Sequence, residues 1–156
     1  MTGFENHDHR TCIRDAVKTA QEVCAARGLR FTPLRQRVLE LVWQSHRPVG
    51  AYELLDIVKG ERGRAAPPTV YRALDFLLEN GLVHRIESLN AFVGCNHPEA
   101  PHTAQFLICT SCRQVAELND DAIAKRVRNS AADAGFRSEH QTLEVTGTCE
   151  DCAQPS

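Results

Sequence analysis

Two pairs of cysteines in the last third of the 156-residue chain have the spacing of a metal site. Cys109 and Cys112 form one C-x2-C pair, and Cys149 and Cys152 form the other. Two residues between thiols let both sulfurs face one ion across a tight turn, and two such pairs complete the tetrahedral shell of sulfurs that Zn²⁺ accepts. One pair alone could be buried or redox-active, but two pairs around a compact segment favour a metal. Since no position is left for water, we expect a structural zinc ion.

A second group of potential ligands lies around the junction of the two halves of the chain. Imidazole, thiolate and carboxylate are ligands that zinc accepts together. The group comprises His84, Cys95, His97, His102, Glu117 and His140. Spacing does not select four of these six, and histidine and glutamate are common on surfaces without a metal. A second metal ion and a group of unrelated side chains are therefore equal alternatives at this point.

Composition limits the class of protein. The apolar runs are only a few residues long, so no membrane-spanning segment is expected. The first ten residues lack the apolar region of a secretory signal, which predicts a cytoplasmic protein with reduced thiols. The seven cysteines then need a reason other than disulfides, and metal binding is the leading one. The net charge is −2, but residues 10–37 carry seven basic side chains against two acidic ones, which suits either a solvated helix face or a phosphate backbone.

The first half of the chain has the pattern of a winged helix-turn-helix domain. Apolar spacing and punctuation by Gly and Pro predict four helices and then two strands around a turn at residues 88–90. The expected helices are 11–27, from Thr32-Pro33 to before Arg47-Pro48, 51–59 and 67–80, and the strands are 82–87 and 91–95. The loop 60–66 separates the third helix from the fourth. We assign residues 1–93 to this domain.

The second half is predicted to be a small α/β domain. Residues 94–102 contain two prolines and form the hinge, and residues 103–156 form the domain itself. The expected elements are strands at 103–109 and 114–118, a helix from a cap at Asn119 or Asp120 to Ala134, and a strand at 138–146. Strand, helix and strand can return the chain to its start, which lets the two cysteine pairs meet across their 36-residue gap. The fold class is therefore α+β.

The fourth helix has an apolar and a polar face. Val70, Leu74 and Leu77 follow helical spacing on one side, and Tyr71 and Arg72 lie on the other. An arginine there could contact guanine, although an exposed helix charge explains it more simply on spacing alone. Tyr52, at the start of the third helix, could equally pack between helices.

Several motifs resemble those of the ferric uptake regulator family. They are Thr32-Pro33-Leu34-Arg35, the run Pro67-Pro68-Thr69-Val70-Tyr71-Arg72-Ala73-Leu74, Phe106-Leu107-Ile108-Cys109 with Cys112, and the closing Cys149-x-x-Cys152. The resemblance covers about residues 15–152. Phe92-Val93-Gly94-Cys95 and the lone Pro101-His102-Thr103 are similar to the zinc-responsive branch, where iron-responsive relatives carry a histidine-rich cluster.

The resemblance implies a zinc-dependent DNA-binding repressor that is not an enzyme and holds two zinc ions per chain. It implies a regulatory zinc set of His84, Cys95, His102 and Glu117, beside the structural set Cys109, Cys112, Cys149 and Cys152. It implies contacts to double-stranded DNA by Tyr52 and Arg72, with Tyr71, Thr69 and Arg35 as further candidates. It also implies a homodimer, with up to two dimers per operator paired through Asp56 and Arg72. His97 and His140 remain second choices as ligands, and we interpret Cys12 and Cys24 as non-ligands.

Three other functions remain to be separated from this one. A zinc hydrolase would need an open coordination position and a general base, and no H-E-x-x-H motif is present. A thiol redox sensor would use the paired cysteines. A family sibling would respond to iron, manganese or peroxide instead of zinc.

Overall fold

The computed structural model describes residue 4, residues 8–63 and residues 67–154. The N-terminal half contains four helices and three strands. They are α1 (His9–Ala26), α2 (Pro33–Trp43), β1 (Val49–Gly50), α3 (Ala51–Arg62), α4 (Pro67–Glu79), β2 (Val83–Ile86) and β3 (Ala91–Gly94). The C-terminal half contains β4 (Ala104–Cys109), β5 (Val115–Glu117), α5 (Asp121–Asp133), β6 (Thr142–Gly147) and α6 (Glu150–Ala153). Among the described residues, no helix is long and apolar enough to cross a membrane.

Two helices begin at the caps that the sequence predicts. The Thr32 side chain accepts a hydrogen bond from the Arg35 backbone N–H at 3.3 Å, and Pro33 occupies the first turn, where its missing N–H costs nothing. Asp120 accepts from the Ala122 N–H at 2.9 Å at the start of α5. Both caps satisfy backbone donors that have no partner inside the helix.

Four helices end at a glycine in the left-handed region. Gly28, Gly63, Gly81 and Gly135 have φ values of 66°, 66°, 70° and 73°. At α4 the Gly81 N–H donates to the Leu78 carbonyl at 3.1 Å and the Leu82 N–H donates to the Leu77 carbonyl at 2.9 Å. This pair of bonds is the Schellman motif, which turns the chain sharply away from the helix.

The N-terminal half packs α1 to α4 against a small sheet. The strand order is β1-β3-β2, with both pairings antiparallel. The core is continuous across helices and sheet, and its fully buried members include Val38, Leu54, Val58, Leu77 and Val83. Helices α1 to α4 followed by a β2–β3 hairpin make the expected winged helix, and the mixed α+β class is confirmed.

The C-terminal sheet has the order β5-β4-β6, and the two strands that flank β4 run in opposite directions. β4 and β5 are antiparallel, whereas β4 and β6 are parallel, so β5 ends at the edge of the sheet where β6 begins, and the segment containing α5 takes the chain from one side of β4 to the other. The register pairs Cys109 with Gly147. Cys149, two residues further on, is thereby brought beside the first cysteine pair.

Contacts between the two halves join the wing to the C-terminal sheet. A separate apolar cluster contains Ile86 and Val93 from the wing together with Phe106, Ile108 and Val115 from the sheet. The Val115 N–H also donates to a backbone carbonyl of the α2–β1 connection at 2.9 Å. Burial of these side chains favours a fixed arrangement of wing and sheet.

The structure corrects four details of the expected elements. α3 runs to Arg62 and ends at Gly63, with φ 66°, instead of ending at Gly60. The loop expected at 60–66 therefore begins later, and residues 64–66 lie outside the described part. β6 begins at Thr142 instead of 138, because its partner β4 begins opposite it at Ala104. The two-residue strand β1 and the short helix α6 are too short for a periodic pattern, so the sequence does not predict them.

Candidate metal centres and DNA-facing surface

The four cysteines of the two C-x2-C pairs converge at one point. Their sulfur atoms all lie within 4.8 Å of one another. Cys109 ends β4, the turn after it carries Cys112, and Cys149 and Cys152 lie at and within the short α6. The sulfurs of Cys112 and Cys149 are 3.8 Å apart, and a tetrahedral ion with Zn–S bonds of about 2.3 Å requires about 3.8 Å between sulfurs. The residues therefore fit a zinc ion.

Local hydrogen bonds prepare this cluster for a cation. The backbone N–H groups of Cys112 and Cys149 point at the Cys109 sulfur and lower the pKa of this thiol to about 6. The Cys149 N–H lies 3.4 Å from that sulfur. The neighbouring thiols, Cys149 first, raise the pKa of Cys152 to about 12. The Cys109 thiolate thus forms at neutral pH, and metal binding must displace the proton of Cys152.

A second cluster joins three separate segments of the chain. It contains His84 from β2, Cys95 and His102 from the linker, and Glu117 from the end of β5, with ligand atoms within 4.8 Å of one another. Glu117 Oε1 is at the centre. It lies 3.1 Å from His84 Nε2, 2.5 Å from His102 Nε2 and 3.9 Å from the Cys95 sulfur.

These distances are close to those of a tetrahedral zinc site. Bond lengths near 2.0–2.3 Å require about 3.6 Å between the sulfur and a nitrogen, and about 3.4 Å between a nitrogen and an oxygen. The Cys95 sulfur is 3.6 Å from His102 Nε2. His102 and Glu117 instead share a direct hydrogen bond, so an ion between them requires these two atoms to separate by roughly 1 Å. Two anionic and two neutral ligands also balance the charge of Zn²⁺.

Outer contacts orient three of the four ligands of this mixed cluster. The Asn96 N–H donates to Glu117 Oε2 at 3.0 Å, which leaves Oε1 facing the other ligands. His102 Nδ1 lies 3.0 Å from the Ala100 carbonyl and donates to it, so that Nε2 is the coordinating atom. The backbone N–H of residue 97 points at the Cys95 sulfur at 3.4 Å. Such second contacts are typical of built metal sites.

The ionisation of the mixed cluster depends on its burial. Burial and the nearby Glu117 carboxylate raise the pKa of Cys95 to about 12. Burial acts to raise the pKa of Glu117, but hydrogen bonds from His84 and from the Asn96 N–H outweigh it and lower that pKa. Burial acts to lower the pKa of His102, but its contacts with the Ala100 carbonyl and Glu117 outweigh that effect and raise it. The metal-free cluster therefore holds protons that a cation must displace.

The other candidate ligands lie outside both clusters. His97 is exposed, and its Nδ1 is 3.7 Å from Glu99. His140 is exposed and its Nε2 is 3.1 Å from the Thr142 hydroxyl. Cys12 is half-buried and Cys24 is buried in the core of the N-terminal half. Within the described residues, only the two clusters above bring three or more potential ligands together.

The candidate DNA contacts lie on α3 and on the exposed face of α4. Tyr52 is 78% exposed, which is unusual for an aromatic side chain and argues against a packing role. Thr69, Tyr71 and Arg72 are exposed on the first turns of α4, and Asp56 is exposed on α3. In the described part of the chain, no hydrogen bond or ion pair holds the Arg72 side chain, so its guanidinium is available.

Arg35 is placed differently from the other candidates. Its guanidinium lies 3.7 Å from the centre of the Phe76 ring and donates to the Arg30 carbonyl. These contacts hold the side chain half-buried on α2. Arg35 remains a candidate for DNA contact, but the structure already gives it a packing role.

Some residues at the mixed cluster carry no signal in the sequence. Asn96 acts through its backbone N–H, which any residue except proline provides. Gly94 lies against the Trp43 indole, and a Cβ at this position would be 2.5 Å from Trp43 Cζ2 and nearer still to Cε2 and Nε1. A glycine beside a ligand could have indicated a close approach, but only the fold shows what approaches it.

The fold and the two clusters define a winged-helix protein whose wing and C-terminal sheet meet at a metal-binding site. A family model, that of the ferric uptake regulator family, matches residues 26–146. The chain belongs to this family.

Within this family, the chain is similar to zinc uptake regulators. The zinc uptake regulation protein of Escherichia coli (strain K12) is 38% identical over 146 residues, which cover 93% of this chain and 85% of the relative. A zinc uptake regulator solved in complex with zinc and DNA is 39% identical, with a TM-score of 0.83, and the match covers 90% of this chain and 94% of that one.

One further relative, XcZur, has been solved in a holo form and in an apo form. The holo form is 50% identical with a TM-score of 0.81, covering 88% of this chain and 96% of that one. The apo form has a TM-score of 0.54 at 48% identity, covering 91% and 98%. The structure described here is therefore more similar to the holo form than to the apo form.

Proposed function

We propose that the protein is a zinc-responsive, DNA-binding transcriptional repressor that regulates zinc uptake. The observation that carries this proposal is the position of the mixed cluster. Its ligands come from the wing (His84), the linker (Cys95 and His102) and the C-terminal sheet (Glu117). When side chains from these three segments bind one ion, they fix the wing relative to the sheet. The named relatives, one of them in complex with zinc and DNA, support the same function.

The binding free energy of a zinc site is large enough to drive such a switch. Shifting a two-state equilibrium from 1:99 to 99:1 needs about 5.5 kcal/mol of differential binding. Structural zinc sites contribute about 10–16 kcal/mol of apparent binding free energy at neutral pH. When bound, Zn²⁺ would supply positive charge that the Cys95 thiolate and the Glu117 carboxylate neutralise. His84 and His102 then complete the shell, and the arrangement competent for DNA is selected from those available.

The four-cysteine cluster has a different role in this proposal. It joins the end of β4 to the chain beyond β6 and leaves no open position, so we assign it to folding and the mixed cluster to sensing. The protein then binds two zinc ions per chain, and the winged helix, linker and second domain are residues 1–93, 94–102 and 103–156.

The C-terminal half also supports a homodimer. β6 is an edge strand among the described residues, and Val145 on it is 45% exposed. Phe136, just beyond the end of α5, and Val127, in the middle of that helix, are 67% and 44% exposed. Apolar side chains in such number on one small domain indicate a surface that a second copy covers. A two-fold dimer would present two α4 helices to two half-sites of an operator.

DNA recognition is assigned to α3 and α4. Arg72 can contact guanine through two hydrogen bonds, worth about 1–3 kcal/mol of discrimination. Tyr71 and Thr69 are exposed on the same helix and Tyr52 is exposed on α3, and Arg35 is a candidate for the phosphate backbone. Asp56 is assigned to pair with Arg72 of a neighbouring dimer when two dimers share an operator. A repressor of this kind acts in the cytoplasm.

Zinc titration of operator binding tests the proposal, with metal counted on the same samples. Wild type is expected to bind two zinc ions per chain and to bind DNA more tightly as zinc is added. His84→Ala is expected to keep one zinc ion and to lose the response of DNA binding to zinc. His140→Ala, which removes an exposed histidine outside both clusters, is expected to keep two zinc ions and the response. A His84→Ala chain with full zinc-dependent binding would contradict the assignment.

The same samples distinguish the alternative functions. A sibling that senses another metal would respond to Fe²⁺ or Mn²⁺ better than to Zn²⁺, and Cys95→Ser would matter less to it because those metals favour harder ligands. Hydrolytic turnover without any zinc effect on DNA binding would favour a hydrolase. A reversible, peroxide-dependent loss of DNA binding would favour a thiol sensor.

A further inference from the structure

Arg27 bridges the end of α4 to the linker that carries two of the proposed zinc ligands. Its Nη1 donates to the Asn80 carbonyl at 2.8 Å, and its Nη2 donates to the Pro98 carbonyl at 3.2 Å. The partners are 53 and 71 residues away in sequence. One guanidinium at the end of α1 therefore joins three parts of the structure.

The carbonyl on the α4 side is one that the helix cannot satisfy. The Schellman bonds at the end of α4 use the carbonyls of Leu77 and Leu78, and the carbonyl of Asn80 is left outside the helix. The partial negative charge at a helix C-terminus favours a cation there. Arg27 supplies both the missing donor and the favourable charge.

The carbonyl on the linker side lies between two ligands of the mixed cluster. Pro98 is buried and stands three residues after Cys95 and four before His102. Cys95 is tied to the same region by a second bond, since its N–H donates to the Leu82 carbonyl at 3.1 Å. The beginning of the linker is thus fixed to the chain just after α4 at two points, and Arg27 makes one of them.

We propose that Arg27 is a positioning residue that couples the state of the mixed cluster to the orientation of α4. The inference rests on the proposed function and adds the route by which the linker acts on the helix that presents Arg72. When the linker is ordered, the Pro98 carbonyl is in place and the guanidinium holds the end of α4 against it. When the linker moves, Arg27 loses that partner and the end of α4 is released.

The geometry of arginine explains why this side chain suits the position. A guanidinium is a rigid planar fork, so two carbonyls bound at Nη1 and Nη2 have a fixed separation. A lysine ammonium keeps the charge but is a single point on a flexible stem. Arg27→Lys therefore separates the effect of the bridge from the effect of the charge.

The test measures operator affinity with and without zinc in the full chain, and takes the ratio as the coupling. Wild type defines the ratio. Arg27→Ala is expected to reduce it by roughly twofold to thirtyfold, the range found for residues that modulate coupling without touching a ligand. The Arg30→Ala variant loses the same charge from an exposed, neighbouring arginine and is expected to keep the wild-type ratio.

Two readouts separate coupling from a simple phosphate contact or a folding defect. A lost phosphate contact reduces the dependence of log affinity on log salt by about one unit and leaves the zinc ratio unchanged. Hydrogen exchange is measured on protein with only the four-cysteine cluster filled. In this state, Arg27→Ala is expected to lose protection from exchange at the Asn96 and His97 backbone amides and to retain the single zinc ion of the four-cysteine cluster.

A wild-type ratio in Arg27→Ala with a reduced salt slope overturns the proposal. If Arg27→Ala does not fold, Arg27→Lys decides, because a wild-type ratio in that variant shows that the fork is not needed. If wild-type DNA binding ignores zinc, the proposed function fails, whereas loss of amide protection in Arg27→Ala would still show the bridge to be real.

Discussion

Replacing Gly94 by alanine is the substitution whose effect the structure defines most sharply. Gly94 ends β3 directly before the ligand Cys95, and the face of its Cα lies against the Trp43 indole at the end of α2. A Cβ there would stand 2.5 Å from Cζ2 and nearer to two further ring atoms. Three atoms of a rigid ring cannot all yield to a small displacement, so either the indole or the strand must move.

The cost follows from overpacking a close-packed interior. Adding atoms to such a site costs about 1–3 kcal/mol. For a chain of this length each kcal/mol corresponds to about 2–4 °C in melting temperature, so we expect a decrease of about 2–12 °C. Gly60→Ala is the matched control, because Gly60 lies inside α3 with nothing within 4 Å of an added Cβ. There the same change removes a helix-breaking glycine and is expected to stabilise by about 0.5–1 kcal/mol.

Thermal melting and intrinsic fluorescence check this expectation together. Trp43 is the single tryptophan of the chain, so its emission reports on this contact alone. Gly94→Ala is expected to shift the emission, and Trp43→Leu, which removes the ring, is expected to reduce the penalty of Gly94→Ala. An equal penalty in both backgrounds would refute the proposed clash, as would a melting temperature within about 1 °C of wild type.

Three further outcomes are expected. Asp120→Ala removes the cap of α5 and should cost about 0.5–2 kcal/mol in urea unfolding, whereas Asp120→Asn should cost much less. Cys112→Ser should lower the zinc content by one ion per chain and destabilise the C-terminal half, whereas Cys24→Ala should leave the content unchanged. Because the raised pKa of Cys95 keeps its thiol protonated, zinc affinity of the mixed cluster should fall about tenfold for each pH unit of acidification, and more steeply where His102 also holds a proton. Competition against a chelator between pH 6 and 8 measures this slope, and a flat profile would contradict it.

The sequence predicts an element best where the pattern is local. The caps at Thr32 and Asp120 and the stripe on α4 depend on residues within two turns of each other, and these elements are confirmed. The predicted end of α3 at Gly60 is wrong. A glycine of this kind ends a helix when its backbone has positive φ, as that of Gly63 has, and the sequence does not reveal φ.

The two metal clusters differ in how far the sequence alone predicts them. Both halves of the four-cysteine cluster are local pairs, so spacing predicts their chemistry before any fold is known. His84, Cys95 and Glu117 come from three elements whose approach depends on the packing of wing against sheet, and only the family resemblance selected them. The Arg27 bridge leaves no signal in the sequence, since its partners are backbone carbonyls.

The parallel pairing of β4 with β6 also constrains how the protein is made. Cys109 and Cys149 are 40 residues apart, and ribosomes add about 5–20 residues each second. Roughly 2–8 s therefore pass between synthesis of the first cysteine and synthesis of its partner. During that interval the N-terminal helices and the wing can already fold, whereas β4 lacks its parallel neighbour and its cysteine pair has only half of its ligands. Folding of this chain is thus expected to run from the N-terminal half to the C-terminal half, with metal capture as its last step.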